Sequence, residues 1–184
     1  MTSFSVCTYN MGSSIDDYLL QCRHTNPAWK DKNAYFLFEN AEEEQDFAKS
    51  YKLTQDKTTE LLTDKAAVYC LQEVLNEERA LIQSLKKKKF TIVHVESQYF
   101  DSVIALDQER FTDIVNHSFQ VQIDQDTKKD VAVATATDTL SRQRMTFVSA
   151  HAPGFAFENF DPQDAGKGDV YCEVILDELT KIGD

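Results

Sequence analysis

The sequence holds only five glycines and three prolines among its 184 residues. That scarcity excludes collagen-like and low-complexity chains and leaves no Pro/Gly/Ser-rich linker to divide the chain. Its four cysteines, Cys7, Cys22, Cys70 and Cys172, stand far apart with no C-x-x-C pair. A zinc ribbon is therefore not expected, and reduced thiols within the core are. No apolar run approaches the ~18 residues of a membrane-spanning helix. The start, Met1-Thr2-Ser3-Phe4-Ser5-Val6, has neither the basic opening nor the apolar stretch of a secretory signal. A cytoplasmic location is the expectation, with export by a non-classical route left open. Basic residues are also few, 19 against 31 acidic ones, for a net charge of −12. Such a chain repels polyanions at long range and has no diffuse basic footprint for nucleic acid. It remains compatible with an enzyme that handles phosphate esters through a divalent cation, because cations bridge carboxylates to phosphate.

What is present is 42% hydrophobic and 27% charged residues, in a length that suits one domain with an ordinary core. The segment Phe4 to Tyr9 alternates with a period of two and predicts a strand running into a turn at Asn10-Met11-Gly12. Residues 13 to about 63 are polar, carry Trp29, Tyr35, Phe36, Phe38, Phe47 and Tyr51, and predict helices around 40–51 and 55–63. Ala66 to Leu71 is nearly all apolar, as a strand buried on both faces would be. A short amphipathic helix is predicted over about 77–87, ending in Lys86 to Lys89, a solvated cap that complements the helix dipole. From Phe90 the pattern turns to strands, predicted over 90–95, 102–107, 113–122, 130–137 and 144–150. A helix over about 169–182, with Gly183 placed as its C-cap, closes the chain.

Three polar residues sit where predicted strands end: Asn10 after the first, Glu73 after the second, and His151 after Met145 to Ala150. Strand ends let a rigid scaffold present catalytic groups without burying them unpaired. An Asn carbonyl and a Glu carboxylate are hard oxygen donors, suited to Mg²⁺ or Mn²⁺ rather than zinc. A His beside them is placed to donate a hydrogen bond to a phosphate oxygen. The remaining histidines, His24, His94 and His117, show no partner pattern and read as structural or surface residues.

In order along the chain, Thr8-Tyr9-Asn10-Met11-Gly12, Tyr69-Cys70-Leu71-Gln72-Glu73-Val74 and Val148-Ser149-Ala150-His151-Ala152-Pro153-Gly154 resemble the endonuclease/exonuclease/phosphatase superfamily. These are the deoxyribonuclease I-like, metal-dependent phosphoesterases. The resemblance implies an α/β fold, a two-layer β-sandwich of the deoxyribonuclease I-like type flanked by helices. It also implies Mg²⁺-dependent hydrolysis of phosphate esters, with metal-activated water attacking phosphate. Asn10 and Glu73 would hold or orient the Mg²⁺ or Mn²⁺, and His151 would contact the scissile phosphate. The substrate would be a nucleic acid, a phospholipid head group or a small phosphate. Tyr99-Phe100-Asp101 matches only loosely a tyrosine-bearing segment of some members.

The chain departs from the family downstream of His151, where neither the D-x-N motif nor an S-D-H-like ending appears. The expectation is therefore one domain over 1–184 whose C-terminal part is missing, with 13–63 as a largely helical insert. The alternative reading is a catalytically incomplete sandwich that acts as a binding or regulatory module, since losing the general base costs about 10²–10⁴ in rate. Absent strands would leave a sheet face uncovered, and either a homodimer through that open face or pairing with a complementary segment is expected, unless the insert folds over it.

Overall fold

The structure, a computed structural model, describes residues 3–12, 40–123, 125, 128–151 and 167–182. Strands β1 (Val6–Asn10), β2 (Val68–Leu75), β3 (Phe90–Val93) and β4 (Phe100–Asp107) form one sheet in the order β1-β2-β4-β3. Only the β1–β2 pair is parallel; β4 runs antiparallel to both its neighbours. The second sheet is built around the long strand β7 (Lys128–Asp138). On one side of β7 lie β5 (Phe111–Asn116) and β6 (Phe119–Gln122), end to end, and on the other lies β8 (Arg144–Ala150). Helices are α1 (Ala41–Leu62), α2 (Ala80–Lys87) and α3 (Lys167–Ile182).

Period-two alternation decides the layers. Tyr69 and Leu71 of β2 point to a core shared with Leu81, Ile82 and Leu85 of α2, while Val68 packs into a second core with Ile104, Leu106 and Phe111. That second core lies between the sheets, where Ala132, Ala134 and Ala136 of β7 leave room for close approach. The opposite face of β7, Val131 and Val133, packs on Tyr171, Val174 and Leu179 of α3. The fold is thus the expected two-sheet α/β sandwich with helices on its outer faces.

Several expectations change. One 22-residue helix replaces the two predicted over 40–51 and 55–63. Nothing at Lys52-Leu53-Thr54 breaks it, since none of these is Gly or Pro, and Thr54 Oγ1 donates to the Ser50 carbonyl inside the helix, at 2.9 Å. Asn40 caps its start by accepting from the Glu42 and Glu43 amides, both at 3.0 Å. The Tyr69 hydroxyl donates to the Leu62 carbonyl at its end. The strand predicted over 113–122 is two strands, interrupted where Asn116 Oδ1 accepts from the Ser118 amide, at 2.9 Å. Cys172 is exposed rather than in the core.

The expected uncovered face of β2 is absent: Val68, Tyr69 and Leu71 are fully buried, between α2 on one side and the second sheet on the other. What stays unpaired among the described residues is the outer edge of β1 and of β3 in one sheet, and of β5, β6 and β8 in the other. Gly183, His24 and most of the 13–63 insert lie outside the described residues.

Candidate active site at the strand ends

The ends of β1, β2 and β8 and the start of β4 meet at one end of the sandwich. The β1–β2 ladder continues one step past the strand, with the Met11 amide donating to the Gln72 carbonyl at 2.8 Å. The chain then turns at Gly12, whose φ of 67° is the left-handed region that favours glycine. The Gly12 amide donates to Asn10 Oδ1 at 2.9 Å. That bond orients the Asn10 side chain so that its Nδ2 donates to Glu73 Oε1 at 2.8 Å. Arg79 Nη2 donates to the Met11 carbonyl at 3.0 Å and holds the turn from below.

Glu73 is presented by a break in the ladder. The β2–β4 register shifts between Gln72 and Leu75, and Glu73 and Leu75 adopt φ of 50° and 75°. Left-handed backbone at such residues costs on the order of 1–3 kcal/mol each and persists where surrounding structure imposes it. That surrounding structure is a strut between the sheets. Gln72 Nε2 donates to Ser149 Oγ at 3.0 Å, and the buried Ser149 hydroxyl donates to the Leu71 carbonyl at 3.0 Å. The strut ties the end of β2 to the end of β8, where His151 follows.

His151 Nε2 lies 3.6 Å from Glu73 Oε1, and its Nδ1 lies 3.0 Å from Asp101 Oδ2. Lys129 Nζ is 3.4 Å from the same Asp101 oxygen. The Tyr171 hydroxyl is buried beneath this group, close to the His151 backbone amide without completing a hydrogen bond. Burial, with the charges of Asp101 and Asp130 adding to it, pushes its pKa up to about 12, so it stays a neutral phenol. Beside the site runs a groove made of two clefts that share Tyr99 and Phe100. The nearer, about 230 Å³, is lined by Leu75, Asp101 and Asp130; the farther, about 350 Å³, by Asn76, Glu77 and His94.

All three residues singled out in the sequence, Asn10, Glu73 and His151, therefore meet. The sequence reading did not single out Lys129, and it met Asp101 only within the loose Tyr99-Phe100-Asp101 match, without a role. Asp101 stands near the start of the mainly apolar strand β4; Lys129 had no signal at all. His94 is stacked on Phe100, its ring centroid 3.8 Å away, and bonds Glu77 at 2.9 Å, which makes it a structural residue as expected. The lysine run is largely paired, Lys86 with Glu77, Lys88 with Asp64 and Lys89 with Glu109. Lys86 and Lys87 lie in the last turn of α2 and Lys88 at its C-cap, where a solvated cap belongs.

As donors for Mg²⁺ or Mn²⁺, the residues fit in part. Glu73 supplies a partly exposed hard carboxylate, while Asn10 spends both ends of its amide on Gly12 and Glu73 and acts as the orienting partner. Among the described residues no group of three or more His, Cys, Asp or Glu side chains is arranged to enclose a metal ion. Nor is any of their helices long and apolar enough to cross a membrane.

The fold and site define a two-sheet α/β sandwich with a carboxylate–imidazole pair at its strand ends. No protein-family model and no curated protein matches the chain. Among solved structures it is similar to TDP2 from D. rerio, in a form humanised by 14 mutations and in a complex with a single-strand DNA product. Each likeness has a TM-score of 0.47 at 15% identity and covers 95% of this chain. The chain spans 55% and 54% of the length of those two structures. TDP2 is a member of the endonuclease/exonuclease/phosphatase superfamily, the family that the strand-end motifs resemble.

Proposed function

We propose that this chain carries the N-terminal part of a Mg²⁺- or Mn²⁺-dependent phosphoesterase site. The observation that supports it is the meeting of Asn10, Glu73 and His151 from three separate strands, with Asn10 at 2.8 Å and His151 at 3.6 Å from one Glu73 oxygen. Glu73 would hold the cation, which when bound neutralises phosphate charge and lowers the pKa of a water. Asn10 keeps the Glu73 carboxylate turned toward the site. His151 presents Nε2 to an oxygen of the phosphate. With no D-x-N motif downstream of His151, the base that activates water is not supplied by the family pattern in this sequence. The chain by itself should then hydrolyse bis(p-nitrophenyl) phosphate slowly or not at all. The net charge of −12 favours a small phosphate ester or head group over a long polyanion.

Calorimetry with Mn²⁺ on the wild type and on Glu73→Ala tests this reading. Binding should be weak, with most coordination positions left to water, and should be lost in the variant. Equal affinity in the two would remove Glu73 from the site and favour the reading as a binding or regulatory module. Self-association is proposed through an unpaired sheet edge rather than a sheet face. A clean monomer at high micromolar concentration in light scattering would overturn it.

A further inference from the structure

We propose that Tyr51, on the helix of the 13–63 insert, is a positioning residue for Glu73, acting through the turn that orients Asn10. The inference rests on the reading of Glu73 as the cation ligand and names a residue that no strand-end motif contains. The Tyr51 hydroxyl lies 3.4 Å from the carbonyl oxygens of both Met11 and Gly12. It also accepts from Gln55 Nε2, one helical turn further on, at 2.8 Å. A phenol has one proton, and Gln55 occupies an oxygen lone pair, so that proton is directed to the two turn carbonyls. Arg79, the N-cap residue of α2, donates to the Met11 carbonyl at 3.0 Å. The turn is therefore held from α1 and from α2 at once.

The hold reaches Glu73 in two further bonds. The Gly12 amide donates to Asn10 Oδ1 at 2.9 Å, and Asn10 Nδ2 donates to Glu73 Oε1 at 2.8 Å. Phe47 stacks on Tyr51 from one turn earlier in α1, with ring centroids 6.3 Å apart and planes 19° from parallel, and so fixes the ring. Burial raises the Tyr51 pKa above the ordinary 10, against the bond from Gln55, and the charges of Tyr9 and Glu73 raise it further. The hydroxyl thus keeps its proton at neutral pH, and the phenol lies within the field of the Glu73 carboxylate. A ligand carboxylate held by such outer bonds needs no ordering when a cation arrives.

The test is the Asn10 side-chain amide in the ¹H–¹⁵N spectrum of the full 184-residue chain without metal, with Mn²⁺ affinity as a second readout. Tyr51→Phe keeps the ring and its stack on Phe47 and removes only the hydroxyl. The Asn10 amide protons should then move toward the values of a solvated amide, and Mn²⁺ should bind about fivefold more weakly. Thr54→Ala is the control, because that hydroxyl bonds the Ser50 carbonyl within the same helix; it should leave the Asn10 signal in place. A merely structural Tyr51 would shift the melting temperature of Tyr51→Phe and leave the Asn10 signal unmoved, which would overturn the proposal. An equal shift in Thr54→Ala would overturn it as well. In the wild type, nuclear Overhauser contacts should join the Tyr51 ring to the Met11–Gly12 turn, and their absence would overturn the proposal even if Tyr51→Phe folds poorly. The amide signal is read without metal, so failure of this proposal and failure of the wild type to bind Mn²⁺ are separable.

Discussion

At the end of the sandwich away from the site, Asp138 and Arg110 pair with a side chain 1% exposed on the acid and 14% on the base. At the site end, Glu73 and Asp101 are each 21% exposed and His151 27%. Asp138 accepts from the Leu140 and Ser141 amides, from Ser141 Oγ at 2.6 Å and from Arg110. The Arg110 guanidinium lies over the Phe4 ring, 5.6 Å from its centroid, and Phe4 packs edge-on against Phe111 and Phe147. The Asp138 carboxylate there is turned inward and spent on holding the chain together. At the site end the backbone of Glu73 is strained, and the imidazole keeps one nitrogen free of any short protein bond. The same residue types thus serve folding at one end and are left available at the other, and exposure with unsatisfied bonding capacity separates the two.

The largest effect should come from breaking the far end. Phe111→Ala removes a buried ring from the core between the sheets and should cost about 3–5 kcal/mol in urea unfolding. If the ends are separable, the His151 ring spectrum should be unchanged in that variant.

Asp138 gives the pH dependence of the same end. Hydrogen bonds from Ser141, with those from the backbone and Arg110, hold its carboxyl down from the ordinary 3.8 to about 2. A depressed folded-state pKa stabilises the protein above 3.8, and that contribution fades as pH falls toward 2. Melting temperatures from pH 5 to pH 2 should therefore fall less steeply in Asp138→Asn than in the wild type, from a lower starting point.

The smallest stability effect belongs to the site end. Glu73→Gly relieves the left-handed backbone at φ 50° while losing the Asn10 bond, so the two changes nearly offset. Stability should move by less than about 1 kcal/mol while Mn²⁺ binding disappears. A loss as large as that of Phe111→Ala would show that Glu73 is a structural residue after all.

Much of this was legible in the residues. The apolar Ala66 to Leu71 run announced a central strand, and the alternation in Phe4 to Tyr9 announced its neighbour. Asn10, Glu73 and His151 were visible because each ends a strand whose pattern is regular. Asp101 was hidden because its partners, Lys129 and His151, are distant in sequence, and only the closure of β4 against β7 brings them near. The β5–β6 break was hidden for a similar reason. The sequence of residues 113–122 alternates well enough for one strand, and the interruption is made by the bond of Ser118 to Asn116 and by that of Val133 on β7 to Ser118. The covered faces of β2 were misjudged because the second sheet closes over it using strands already present.

The central claim, that three strand ends assemble one cation-binding phosphoesterase site, is tested most directly by paramagnetic broadening with Mn²⁺. In the wild type, the Asn10 side-chain amide and the His151 ring should broaden first, and in Glu73→Ala neither should. Broadening centred elsewhere, for example on the paired carboxylates of α1, or broadening at Asn10 and His151 that persists without Glu73, would contradict the account.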